Sequence, residues 1–438
     1  MSTNQKPNYT LPIIVMFFLF AMISFVTGFQ NPFGVILKEQ LGLSALQSQL
    51  GNAANFIAYA FMGIPAGIIL QKKGYKFSAI AAVLVGLVGV VLMFVSSTLS
   101  GNDLIFSVYL AGAFIAGFSM CMLNTVVNPM LNTLGGGGKK GNQLLQFGGA
   151  TNSLAATICP VLVGYLMGGQ LQGITLEAAR PALYVAGGIF ALAFIVLVLS
   201  KLPEPILEEL KKGGKKVEKP TLGGALKFGH FVGGVVAIFL YVGIEVGIPN
   251  MANLYMTNTL SMNTAVAGSL VGAYWFLMLV GRLIGGSVGG FVSSKAMLVT
   301  VSSVALTLLL GAILLDPATV VTVPVVGVEA PINILLLVLC GLCTSVMWGG
   351  IFNLAVEGLG KYTAVASGLF MMMVCGGGIL PLIQGAVADA TSYLTSYWVL
   401  FIATAYLLYY ALIGSRVKRR DASAEEIKQE IKEGVMED

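Results

Sequence analysis

Twelve apolar stretches, each long enough to cross a lipid bilayer, follow one another along this chain, and the basic residues between them fall on alternate sides. A membrane span needs roughly 20 mostly apolar residues. By that measure the sequence predicts helices at 11–37, 47–70, 77–98, 104–134, 143–168 and 182–200. A second set follows at 226–250, 262–290, 295–315, 331–357, 363–388 and 393–414. With both termini placed inside, 22 of the 24 Lys and Arg residues reach the cytoplasmic face, and Lys38 and Arg180 alone lie outside. Lys and Arg accumulate on the cytoplasmic side of membrane proteins, so one distribution supports both the span count and the orientation. Lipid offers the backbone no hydrogen-bond partners, so each span has to satisfy its own as a helix. At these lengths the expectation is an all-α membrane protein of twelve transmembrane helices.

Composition narrows the function. Charged residues make up 10% of the chain, against about 25% in a soluble protein. The net charge of +5 sits in loops, where it serves topology and contact with anionic lipid, so the bilayer is the expected partner and nucleic acid is not. All five cysteines lie within apolar spans as small packing residues; Cys340 and Cys343 form a CxxC with no histidine nearby, which does not read as a metal or redox site. Gly135 to Gly138 lead into Lys139-Lys140 without the Lys-Ser/Thr ending of a phosphate loop. No HExxH motif and no nucleophile beside a base is visible in the spans. Neither an enzyme nor a cofactor is expected. The first apolar run, reaching about residue 37, exceeds the hydrophobic region of a signal peptide and should remain in the mature protein.

The long polar stretch from Lys201 to Thr221, with Pro203, Pro205 and Gly213-Gly214, divides the chain. Residues 1–200 are read as one six-helix bundle, 201–225 as a cytoplasmic linker, 226–414 as a second bundle and 415–438 as a cytoplasmic tail, where Ser423 and Glu426 suit a capping box. An internal repeat supports two pseudo-symmetric halves. Pro160 and Gly164 recur as Pro381 and Gly385, and Asn128 and Gly135 recur as Asn353 and Gly360, each pair at its own spacing. Parallel repeats of this kind enclose a substrate site near the bilayer midplane and alternate its access by rocking.

Several segments then point to a family. Gly67 to Lys76 (GIILQKKGYK) resembles the loop signature of the major facilitator superfamily, with Gln71 where an aspartate is usual. Pro65-Ala66-Gly67, Asn128-Pro129, Asn152-Ser153, Phe239 to Val246 (FLYVGIEV), Gly281-Arg282, Ile351 to Leu354 and Gly376 to Asp389 resemble its fucose and glucose/galactose permease branch. The resemblance implies the major facilitator fold and sugar transport. Tyr59 and Glu245 fit that pattern; Gly28 and Asn124 stand where the branch has acids, and Gly149 stands where it has a glutamine. Proton symport, sodium symport and uniport all remain open readings.

Glu245 is the sharpest individual candidate, being an acid well inside a span. A carboxylate there is costly unless paired, hydrated or protonated, so it is expected to serve coupling, by carrying a proton or by ligating sodium. A packing role tied to Tyr241 is the plainer alternative. Neutral amides form the second group: Gln30 and Asn31 on the first helix, Asn52 on the second with Tyr59, Asn124 and Asn128 one turn apart on the fourth, and Gln146 and Asn152 on the fifth. Asn250, Asn353 and Gln384 extend it through the second half. Amides both donate and accept hydrogen bonds, as a neutral polyhydroxylated solute requires, although interhelical bonding is an equally ordinary use. Trp275 and Trp348 lie away from the interfacial belts and offer faces for a sugar ring. Arg282 and Glu357 are expected to pair as an inner gate, with snorkelling as the alternative for the arginine.

The expectation is therefore an inner-membrane permease, monomeric, importing a neutral hexose or hexose derivative by alternating access with proton coupling. A sensor that binds sugar without moving it is a rival of another class, and the short tail argues against it.

Overall fold

The computed structural model describes residues 9–43, 45–166, 176–205, 221–323 and 327–417. The capping box at Ser423 and Glu426 and most of the linker and tail lie outside these residues. So do the side chains of Lys38 and Pro160.

Among the described residues, twelve helical segments follow in order. The first half holds α1 (Thr10–Leu41), α2 (45–73), α3 (75–96), α4 (Asn102–Leu134), α5 (Gly138–Leu166) and α6 (Arg180–Leu199). The second holds α7 (Gly229–Thr259), α8 (Thr264–Val288), α9 (Ser294–Leu314), α10 (Ile332–Val356), α11 (Gly360–Ala390) and α12 (Tyr393–Gly414). Between α2 and α3 the chain changes direction at Gly74, whose φ of 81° and ψ of −179° belong to backbone that side chains other than glycine rarely adopt. That break separates two spans without a loop. Helix α10 is interrupted at Ser345 and Val346, and α11 tightens over Met373–Cys375. A two-stranded antiparallel hairpin, β1 (Val320–Val323) with β2 (Val328–Pro331), connects α9 to α10 and was not expected from the sequence.

Polar signals explain the ends of these helices. The first-turn amides of Tyr75 and Lys76 would be orphans at the start of α3; they donate to the two oxygens of Glu204 at 2.7 and 2.8 Å, and the negative charge also suits a helix N-terminus. In return, Lys76 Nζ donates to the carbonyls of Val198 and Ser200 at the end of α6. Lys72, Lys73, Lys139, Lys140, Lys201, Lys227, Lys295 and Lys361 all lie at one end of the bundle, here termed the basic end. Asp103, Glu177, Asp316, Glu329 and Asp389 lie at the other, where Arg180 pairs with Glu177 at 3.0 Å.

Large apolar side chains such as Phe61, Tyr165, Leu199, Phe291 and Ile402 are exposed. In lipid such exposure replaces the polar surface of a soluble protein. Within the first half, α1 packs on α5, and α2 and α3 pack on α4; within the second, α7 packs on α10, α11 and α12, and α8 packs on α10. The halves meet through α2 and α4 against α11, and α5 against α8 and α10. Helices α2 and α11 approach almost backbone to backbone: a Cβ on Gly368 would lie 2.6 Å from the Gly63 carbonyl oxygen and 2.7 Å from the Gly67 Cα.

Candidate functional site

Midway along the spans, amides and aromatic rings from both halves meet. Asn124 Nδ2 donates to the Tyr59 hydroxyl at 2.7 Å, joining α4 to α2. One turn further, Asn128 Nδ2 bonds the carbonyl and the side-chain oxygen of Asn124. The remaining acceptor, Asn128 Oδ1, takes the indole Nε1–H of Trp348 on α10 at 2.9 Å. Trp348 in turn meets Tyr241 and Phe370 edge to face. The result is a neutral polar cluster walled by rings, with both asparagines buried.

One turn along α7 from Tyr241, Glu245 forms an ion pair with Arg282 of α8, Oε1 to Nη2 at 3.2 Å. The two side chains are 15% and 10% exposed, so the pair is nearly dry. Pro249 cannot supply the amide that would close the helical bond to the Glu245 carbonyl. The Tyr274 hydroxyl donates to that carbonyl instead, at 3.2 Å, and also meets Thr344 Oγ1 of α10 at 3.0 Å. Arg282 extends beyond its carboxylate. Nη1 reaches the Gly149 carbonyl at 3.0 Å and the Ser153 hydroxyl, both on α5, and Nε reaches the Ser345 carbonyl at 3.3 Å.

Toward the basic end a third layer joins the halves through neutral groups. Gln143 Nε2 donates to the Gly286 carbonyl at 3.1 Å, and Gln146 Nε2 to the Val346 carbonyl at 2.9 Å. Asn142 Nδ2 reaches the sulfur of Met297, and Asn353 Nδ2 reaches the Gly138 carbonyl at 3.1 Å and the Ser294 hydroxyl at 2.7 Å. The three α5 amides of this layer, Asn142, Gln143 and Gln146, occupy its first turns, beside Lys139 and Lys140.

Several expectations change accordingly. Arg282 engages Glu245 and not Glu357 among the described ion pairs, because its guanidinium points along the α5–α8 seam. Glu357 caps the end of α10, and its carbonyl meets His230 Nε2. Gln146 and Asn353, expected to line a substrate site, instead tie the halves at the basic end. Asn152 donates to the Phe20 carbonyl and binds α5 to α1 inside the first half. Gln384 is fully buried beside Gly247, and among the described residues neither its nitrogen nor its oxygen has a hydrogen-bond partner. Its neighbour Gly247 lies on the far side of α7 from Glu245, so Gln384 belongs to the interior of the second half. Asn250 is exposed on α7. Trp275, 38% exposed, lies seven residues before Arg282 on the same face of α8. The side chains of Gln30, Asn31 and Asn52 lie outside the described residues.

Tyr274, Thr344 and Asn142 were not singled out in the sequence, and Ser153 was noted only as part of a family segment, with no role attached. The one readable signal was Pro249, which stands four residues after Glu245 and so leaves that residue's carbonyl in need of a donor. Among the described residues no group of three or more His, Cys, Asp and Glu side chains is placed to hold a metal ion.

Residues 16–381 match the family model described as Major Facilitator Superfamily. The chain is 29% identical over 425 residues to the glucose/galactose transporter of Brucella abortus biovar 1 (strain 9-941), spanning 94% of this chain and 96% of that relative. It is 20% identical over 408 residues to the L-fucose-proton symporter of Escherichia coli (strain K12), spanning 88% and 89%. Among solved structures, the E. coli fucose:proton symporter matches with a TM-score of 0.78 at 20% identity, over 94% of this chain and all of that one (100%). A proton:xylose symporter of the same superfamily matches at 0.68 and 12% identity, over 95% and 98%. At these identities the structural matches establish the fold. The relatives named are transporters, not enzymes.

Proposed function

This chain belongs to the Major Facilitator Superfamily, and from that premise we propose that it imports a neutral hexose or hexose derivative across a bacterial inner membrane, coupled to protons through Glu245. The basic end faces the cytoplasm on this reading, as the distribution of Lys and Arg favours. The halves rock about a site between α4, α7 and α10, as parallel-repeat transporters do.

The observation that carries the reading is the hydrogen bond from Trp348 Nε1 to Asn128 Oδ1. It joins the halves at the level where a substrate has to sit, and both partners suit a sugar. The amide exchanges hydrogen bonds with hydroxyls, while the indole face packs on the apolar face of a pyranose. A sugar entering between α4 and α10 takes over this bond, so its binding is linked to separation of the halves. The cluster is uncharged, which favours a neutral solute over an anion. The relatives' glucose, galactose and fucose point to the same class.

The test uses purified protein in proteoliposomes and a panel of labelled monosaccharides. Counterflow is expected with at least one hexose, an imposed proton gradient should drive its accumulation, and Glu245→Gln should abolish that accumulation. A sodium gradient acting alone in place of protons would assign a sodium symporter, and accumulation under neither would assign a uniporter. Binding without counterflow would instead make the protein a sensor and end the transport reading.

A further inference from the structure

Arg282 belongs to both halves at once. Its charge is answered by Glu245 within the second half, while Nη1 donates to Ser153 and to the Gly149 carbonyl of the first half. Two glycines give it this position. A Cβ on Gly149 would lie 3.3 Å from Arg282 Cδ, so the stem lies flat against α5 where a side chain is missing. At Gly281 a side chain would meet the backbone carbonyl of Leu342 at 3.0 Å, so α8 is seated closely on α10. The groups facing Glu245 are Arg282 and Tyr274 from α8 and Tyr241 from α7 itself, with Thr344 contributed by α10 through Tyr274.

We propose that Arg282 is the positioning residue that converts the charge state of Glu245 into contact, or loss of contact, between α5 and α8. The proposal rests on the reading of Glu245 as the proton carrier. While Glu245 is ionised, the guanidinium is neutralised in place and can spend its other donors on α5, which keeps the basic end shut. When a proton from the outer side adds to a Glu245 oxygen, no other covalent bond changes, but Arg282 becomes a buried cation facing neutral acceptors. An uncompensated charge in so dry a setting is strongly unfavourable. Water reaches it if the α5–α8 seam parts, so protonation favours opening at the basic end. Loss of the proton to the inner side restores the ion pair and draws the seam closed. Sugar and proton are thereby released on the same side, and the empty carrier resets in the deprotonated form.

The test places cysteines at Phe147 and Gly286, which face each other across that seam, and measures cross-linking yield in the full-length protein, normalised at each pH to the reactivity of the two single-cysteine variants because thiols themselves titrate over this range. The parent protein, whose native cysteines lie within the spans, serves as the control. Lowering the pH from about 8 to about 5.5, across the range in which a buried carboxyl can titrate, should reduce the yield. A coupling of ordinary size corresponds to a change of about fivefold or more. Glu245→Gln should give the low yield at both values, Arg282→Gln should remove the pH response, and Arg282→Lys should restore part of it. Ser153→Ala keeps the ion pair and deletes the bond to α5; it should weaken the response and stands in if Arg282→Gln fails to fold. A full response in both Arg282→Gln and Ser153→Ala, with none in Glu245→Gln, would overturn the role of Arg282 and leave Glu245 as carrier. A full response in Glu245→Gln would remove the carrier reading itself.

Discussion

At the scale of single residues, Trp348 offers two separable contributions, a ring face and an Nε1 donor. The donor is engaged by Asn128 in this state, and the ring is held between Tyr241 and Phe370. If the ring carries the sugar, Trp348→Ala should weaken binding by roughly tenfold, whereas Trp348→Phe should stay within about threefold, as expected for one neutral hydrogen bond. Calorimetric titration of the sugar identified by counterflow measures both, and equal losses would assign the effect to the donor. Asn128 was readable in the sequence as a polar group on a buried helix face, and so was Glu245. What could not be read was how each is satisfied. Gln146, Asn128 and Gln384 are all amides inside spans, yet one ties carbonyls at the basic end, one meets an indole and one has no partner among the described hydrogen bonds. Residue type fixes hydrogen-bonding capacity, and the partner is set by helix rotation, which a one-dimensional pattern leaves free.

Among elements, the contact between α2 and α11 depends on glycines. Gly63, Gly67 and Gly368 bring two backbones together with no room for a methyl group between them. Close approach through small residues is the ordinary way for helices to associate in lipid, where dispersion replaces the hydrophobic effect. Gly368→Val should therefore force these helices apart near the basic end. A cysteine introduced at Ala364 should then label several-fold faster with an impermeant maleimide applied from that side. Unchanged labelling would show that the helices separate elsewhere. The spans themselves were legible, since their lengths follow from lipid thickness and their apolar content is unambiguous. Breaks within elements were less so. Gly74 lies among Lys72, Lys73 and Lys76, where the sequence suggests a loop, but the chain needs only one residue in an unusual backbone conformation to turn. The hairpin before α10 was missed because its strands, each 4 residues long, read as part of a loop between spans.

For the molecule as a whole, the closure at the basic end is made by neutral donors on backbone carbonyls, with Arg282 deeper inside. An exposed charged gate would loosen as salt screens it, over a Debye length of about 8 Å at physiological strength. The bonds from Gln143, Gln146 and Asn353 carry no net charge. The fraction of protein open at the basic end should thus change little between about 0.05 and 0.5 M salt, while Gln146→Leu combined with Asn353→Leu should raise it. Accessibility of the Ala364 cysteine reports both. The division into two halves was visible in the linker and in the repeated Pro-Gly and Asn-Gly spacings, whereas the location of the gate was not, because the sequence puts Arg282 and Glu357 toward the same end of their helices and only the fold shows which acid the arginine faces. The clasp in which Glu204 caps α3 and Lys76 holds the end of α6 has a consequence for biogenesis. Both members lie before α7 in the chain, so the first bundle can close its own fastening without the second half. It can settle in the bilayer before α7 emerges, and the later helices then dock onto a finished surface.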